Sequence, residues 1–329
     1  MHVTFVEPEY VAGPVVAGVD LGGTKIQTVV VQNEEVVGSA RVLTPQTGDP
    51  GDVVDAIVET VRTSLAAADR AEPDLRAIGI GTPGEVDSEA GAVLLAANVP
   101  GFSERVELGA LVSTRLEKAK VTVDNDVNVG VLGEWKRGAG RPFENLLGVW
   151  VGTGVGGGLI FAGELYDGRG AGAEFGHMIV KPGGLRCSCG RRGCVEAYAG
   201  RVSMERRARH LVRRGHKTDL FRIMEKHERT RLSSGVYARA LEHGDKLATK
   251  LIDDAAWALG LGMASAQNLL DLEAIIVGGG LGDRLGQPFV DQIVEQMTPH
   301  LFAEEPPVVL GTELGDLSGA VGAAVLAGG

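Results

Sequence analysis

Aromatic residues make up only 5% of this 329-residue chain, and its three cysteines all fall between Cys187 and Cys194. Three thiols crowded together cannot staple a whole fold, so a disulfide scaffold is excluded and the usage fits a reducing compartment. Prolines number 13 against 49 glycines, and the glycines punctuate apolar runs without a fixed period, which excludes collagen and low-complexity architectures. Basic residues are outnumbered: 32 Lys and Arg face 43 Asp and Glu, a net charge of −11. That balance argues against nucleic-acid binding over the whole surface, which needs clustered cations. No apolar run reaches the roughly 18 residues a membrane span requires, and the opening MHVTFVEPEYVAG lacks the basic stretch and apolar core of a secretion signal. The expectation is a cytoplasmic protein with no membrane or nucleic-acid partner.

What is present is enough chain for two domains, with 44% hydrophobic and 23% charged residues, close to the globular average. From Val15, VVAGVD, the turn LGGTK, IQTVVV and EVVGSARVL predict a three-stranded antiparallel opening. A helix follows over Asp52–Ala68, with Val54, Ile57, Val58, Val61 and Leu65 at helical spacing. Then come a strand at Leu75–Ile80, a helix at Glu107–Lys118 and the strand KVTVD. LLGVWV, GTGVGGG and LIFAGELYDG restart the same grammar and suggest a duplicated domain. A long helical region follows the cysteines, with faces over Ser203–Gly215 and Asp245–Leu270. The chain ends on the strand EAIIVGGGL, a helix over Gln287–Leu301, the strand PVVLG and a helix from Leu317. The domains are read as 1–124 with a returning 312–329, and 125–311. Residues 201–231 carry eleven Lys or Arg against four acids, and with Phe221 as their one aromatic they read as solvated helix faces.

Three glycine clusters could cradle phosphate, because glycine lets backbone N–H groups approach closely and threonine adds a donor. They are Asp20-Leu-Gly-Gly-Thr-Lys25, the loop from Gly152 to Gly158, and Gly278 with Gly279 and Gly280. The Walker pattern is absent. Gly152, Gly154 and Gly157 do satisfy GxGxxG, but a dinucleotide fold needs a helix directly afterwards, and GLIFAGELYDG reads as strand. The candidates are Gly22, Gly23, Thr24 and Lys25 on one side and Thr153, Gly154, Gly156 and Gly157 on the other, with Asp20 orienting Mg²⁺ beside them. The spacing C-x-C-x₄-C of Cys187, Cys189 and Cys194 offers three thiolates to one ion. His177 is the simplest fourth ligand, giving a closed Cys₃His zinc site that organises its surroundings rather than performing chemistry.

DLGGTK, NDVN at Asn125–Asn128, GTGVGGG, EFGH at Glu174–His177 and CSCGRRGCVEAYAG at Cys187–Gly200 together resemble the ROK family of bacterial sugar kinases and sugar-responsive repressors, most closely its zinc-containing glucokinase branch. The resemblance runs from about Val15 to the C-terminus. It implies an actin-like, ribonuclease-H-like two-domain α/β fold with an interdomain active-site cleft, and ATP- and Mg²⁺-dependent phosphorylation of glucose in glycolysis. It further implies sugar contacts from Asn98, Asn125, Asp126, Glu174, His177 and Glu196, with Asp126 as general base and Gly278–Gly280 against the nucleotide. Related members act on mannose, N-acetylmannosamine, N-acetylglucosamine or fructose, some use polyphosphate, and the family tends to form homodimers or higher homo-oligomers. A repressor would carry an N-terminal helix-turn-helix domain, for which the short segment before Val15 leaves no room.

Overall fold

The computed structural model describes residues 14–117 and 119–328. The N-terminal segment before Pro14 and Lys118 at the end of the expected second helix lie outside the described residues. Two compact units result, one running to Asp126 with a return from Ala323, the other spanning Val127–Gly322.

The first unit is built on β1 (Val15–Leu21), β2 (Lys25–Gln32), β3 (Glu35–Leu43), α1 (Pro50–Ala67), β4 (Leu75–Thr82), the short pair β5 (Glu85–Asp87) and β6 (Ala92–Leu95), α2 (Leu108–Arg115) and β7 (Lys120–Asn125). Its main sheet has the order β3-β2-β1-β4-β7, with β2 and β3 antiparallel and β4 and β7 parallel to β1. β1 is central and buried on both faces, which explains its unbroken apolar run. α1 starts where the Asp49 side chain accepts from the Gly51 N–H, 2.8 Å, and Pro50 supplies a preset φ. Its stripe of Val53, Val54, Ile57, Val58, Val61 and Leu65 is buried in the unit's core. α2 ends at Arg115, earlier than the periodicity predicts, because Glu117 turns the chain with φ of 47°.

The second unit contains α3 (Asp126–Arg137), β8 (Leu146–Val151), β9 (Val155–Phe161), β10 (Glu164–Leu165), α4 (Glu196–Ala199), α5 (Arg201–Arg213), α6 (Leu220–Lys226), α7 (Ser234–Glu242), α8 (Lys246–Leu270), β11 (Ala274–Gly278), α9 (Gly279–Leu285), α10 (Gln287–Met297), β12 (Val308–Gly311) and α11 (Ser318–Leu326). Its sheet order, β10-β9-β8-β11-β12, repeats that of the first unit strand for strand, again two antiparallel and two parallel neighbours around the centre. Two units built on one plan is what the recurring glycine hairpins suggest. α8 is set by Asp245, whose carboxylate accepts from the Leu247 and Ala248 N–H groups, both 2.9 Å. Gly260 in α8 admits the backbone of α10 at Ile293 and Met297, where a β-carbon would sit 2.8 Å away. The chain rejoins the first unit inside α11 rather than at 312. Residues after β12 are held in the second unit by the fully buried Glu134, which accepts from the Glu313 and Leu314 N–H groups (3.0 and 2.9 Å) and the Ser318 hydroxyl (2.7 Å).

Candidate functional site

In each unit glycine turns follow the C-terminal ends of the parallel strands, where open α/β sheets place their ligands. In the first unit Asp20 lies at the end of β1, in register with Gly81 of β4, and Thr82 pairs with Asn125 at the end of β7. The DLGGTK turn is closed by Gly22 N–H to Lys25 O, 2.9 Å. Around it the Thr44 hydroxyl donates to Gly22 O (2.6 Å) and the Gln46 amide to Gly23 O (3.1 Å), leaving Thr24 exposed. A β-carbon on Gly23 would collide with the Asn98 carbonyl, so the expected phosphate turn and the expected sugar loop are packed backbone to backbone. Asn125 donates its amide to Gly84 O, 3.2 Å, and Asp126 opens α3. Asp20, Lys25, Asn125 and Asp126 each have further interactions.

In the second unit β8 runs into the Gly152–Gly158 loop and β11 into Gly278–Gly280. The two meet, because Gly278 pairs with Trp150 and Gly279, at φ of 79°, packs on the Val151 backbone. The glycines after Thr153 prove to be packing sites as much as open backbone. Gly156 and Gly158 admit Val127 and Val131 of α3, and Gly157 admits Phe175, 2.6 Å from where a β-carbon would stand. Through that contact the EFGH turn lies against β9, with Glu174 exposed at its start. Gly154 is different: a β-carbon there would overlap Oε2 of Glu196. That oxygen accepts the Val155 N–H at 3.1 Å, and Oε1 accepts the Ser188 hydroxyl at 2.6 Å. Glu196 is thus gripped from one side by the glycine loop and from the other by the cysteine loop. Val155 and Ser188 were not legible as its partners, since Val155 lies far upstream in sequence and a serine between two cysteines has no spacing signal.

His177, Cys187, Cys189 and Cys194 do come together, their ligand atoms all within 4.8 Å of one another. Cys187 Sγ lies 3.8 Å from His177 Nδ1, and Cys189 and Cys194 Sγ are 3.8 Å apart. A tetrahedron of about 2.3 Å zinc–sulfur bonds has edges of about 3.8 Å, so the donor set fits zinc in number, softness and size. Cys187 and Cys194 are buried and Cys189 exposed. Burial raises the Cys187 thiol and pushes that of Cys194 up to about 12, while the Arg191 N–H lowers Cys189. Buried thiols that resist ionising alone are the kind a dication deprotonates on binding.

The second unit also holds a cavity of about 480 Å³ beside Gly280, lined by Arg229, Ser234, Arg239, Asp283 and Arg284 among others. Of the basic segment, Arg229 and His227 reach it. Elsewhere in that segment four of the charges are spent internally: Arg209 and Arg231 pair with Glu205, Arg207 with Asp254, and Arg222 with Asp219. No helix among the described residues is long and apolar enough to cross a membrane.

Paired sheets of one plan, glycine turns at the strand ends and a Cys₃His cluster beside a held carboxylate define an actin-like, two-domain sugar kinase. The ROK family model matches residues 16–329, and the chain belongs to that family. It is 32% identical over 317 residues to the glucokinase of Thermotoga maritima, covering 93% of this chain and 95% of the relative. The kanosamine kinase of Amycolatopsis mediterranei is 30% identical, covering 94% and 95%. Among solved structures, a ROK family glucokinase from Streptomyces griseus in complex with glucose and AMPPNP superposes with a TM-score of 0.80 at 33% identity, covering 95% of this chain and 99% of that one.

Proposed function

We propose that the enzyme transfers the γ-phosphoryl group of ATP to the 6-hydroxyl of glucose, giving glucose 6-phosphate and ADP. The observation that carries this reading is Glu196, a carboxylate suited to sugar hydroxyls, held by the Val155 N–H of the loop assigned to phosphate and by Ser188 of the metal loop. A site built from carboxylates and amides rejects analogues that lack the matching hydroxyls. Asn98, Asn125, Glu174, His177 and Glu196 bind the sugar, and Asp126 accepts the proton of the attacking hydroxyl. An ordinary carboxylate serves, because the hydroxyl becomes acidic only as the new P–O bond forms.

His177, Cys187, Cys189 and Cys194 would hold zinc, and four donors drawn to one ion would fix the turn carrying Glu174 and the segment leading to Glu196. With Nδ1 of His177 turned toward the Cys187 thiol, Nε2 would keep the ring proton and donate to a sugar hydroxyl. Asp20 would hold Mg²⁺ with the ATP phosphates, and the ion would supply charge neutralisation when bound. Gly22, Thr24, Lys25 and Thr153 face the phosphates, while Gly23, Gly154, Gly156 and Gly157 serve by making room for Asn98, Glu196, Val127 and Phe175, and the cavity beside Gly278–Gly280 takes the rest of the nucleotide. The test is ADP release over a panel of glucose, mannose, fructose, kanosamine and the N-acetylhexosamines, with ATP or polyphosphate as donor. Glucose with ATP should be preferred. Asp126→Asn should lose about 10²-fold or more in turnover, with glucose affinity within several-fold. Near-normal turnover of that variant removes Asp126 as the base.

A further inference from the structure

The Gly152–Gly158 loop is tied to the start of α5. Arg201 N–H donates to Gly152 O at 3.1 Å, and Val202 N–H to Thr153 O at 3.2 Å. The Arg201 side chain folds back along the same loop, where Nη2 donates to Thr153 Oγ1 at 3.3 Å. Its Nε is buried and makes no hydrogen bond among the described residues. The guanidinium also has no carboxylate partner among those residues. Glu205, one turn along α5, is taken up by Arg209, Arg231 and the Leu232 N–H. Nearby Tyr237 has a buried hydroxyl that is likewise unpartnered. Desolvation draws the Arg201 pKa below its ordinary value, yet arginine stays charged.

A half-buried cation without an anion is costly to keep, and it is retained here beside an exposed threonine. The Arg201–Thr153 contact also fixes a proton. Because the hydroxyl oxygen accepts from the guanidinium, its own hydrogen points away and is left to donate. One positive charge and one directed O–H donor on a glycine loop make a receptor for a phosphate oxygen. We propose that Arg201 is a phosphate-binding residue of this enzyme, supplying with Thr153 the charge and the donor that hold the β- or γ-phosphate of the nucleotide. The inference rests on the kinase reading above and adds to it a residue that no glycine motif contains.

The test uses calorimetric titration of the full-length, zinc-loaded protein with ADP and with adenosine, on wild type, Arg201→Met and Arg201→Lys, together with glucose KM and thermal midpoints. Arg201→Met should bind ADP about tenfold or more weakly while adenosine affinity and glucose KM stay within twofold, and Arg201→Lys should recover part of the loss. The unliganded Met variant should melt no lower than wild type, since an unpaired buried cation has been removed. A uniform loss for ADP and adenosine with a lowered midpoint, or no loss for ADP, overturns the proposal. If wild type phosphorylates glucose and binds ADP while Arg201→Met does so equally well, only this inference fails. If wild type does neither, the kinase reading fails with it.

Discussion

Replacing Gly154 by alanine places a methyl group closer than 3.0 Å to Glu196 Oε2, a distance real β-carbons essentially never show. What must give is the end of a side chain rather than backbone, and Gly154 is not among the glycines with positive φ, so the backbone tolerates the change. Stability should therefore move by less than about 1 kcal/mol, the lost fit offset by reduced freedom of the unfolded chain. The carboxylate, however, has to leave the Val155 N–H, now 3.1 Å away. A hydrogen bond to a charged group is worth about 1.5–3 kcal/mol, so glucose affinity should fall about 10- to 100-fold once Glu196 loses its orientation.

The assay is calorimetric glucose binding without nucleotide, run beside ADP binding without glucose. Weakened glucose binding with ADP affinity unchanged is expected if Gly154 exists to admit Glu196. The opposite pattern, ADP weakened and glucose untouched, would refute this reasoning and return Gly154 to the role of a bare phosphate cradle. A large fall in thermal midpoint would refute it differently, by showing that the carboxylate cannot move.

Metal removal should act on sugar binding and on the second unit together. Chelation is expected to release one zinc per chain, lower the melting temperature and abolish glucose binding, all restored by added zinc, whereas full activity in demonstrably zinc-free protein counts against the site. Acid stability should depend on Glu205. Burial alone would raise its carboxyl, but the Leu232 N–H, Arg209 and Arg231 reverse that and leave it below the ordinary 4.5. A group depressed in the folded state contributes stability that is complete above pH about 4.5 and is lost as pH falls through the folded value. Glu205→Gln should accordingly flatten the acid limb of a melting-temperature-against-pH curve, and an unchanged limb would assign acid sensitivity to other groups.

How far the site could be read from sequence follows from how local each signal is. Cys187, Cys189 and Cys194 are legible because their spacing alone brings three thiolates to one ion, and β1 with β2 because an apolar run broken by two glycines has few other ways to fold. The helical region after Cys194 is only partly legible. The helix that stops before Gly215, where φ is 94°, ends close to where its periodic face does, but α6 and α7 beyond it are too short to show such a face. The glycine loop shows the limit most sharply. Its glycines are alike in sequence, yet Gly154 makes room for a carboxylate, Gly156 for Val127 and Gly157 for Phe175. A glycine records only that something comes close, and what comes close is set by chain folded from far away: α3 upstream, the EFGH turn and the cysteine loop downstream. The same distance hides Arg201. In sequence it is one of eleven basic residues in a stretch that reads as solvated surface. Arg207, Arg209, Arg222 and Arg231 are spent on acids, whereas the Arg201 guanidinium bends back onto Thr153 with its Nε buried and unpartnered among the described residues, a placement that calls for an anion. Charge counting along a chain treats these residues as equivalent, and only the partners each one finds on folding separate cations held by acids from one held against the glycine loop.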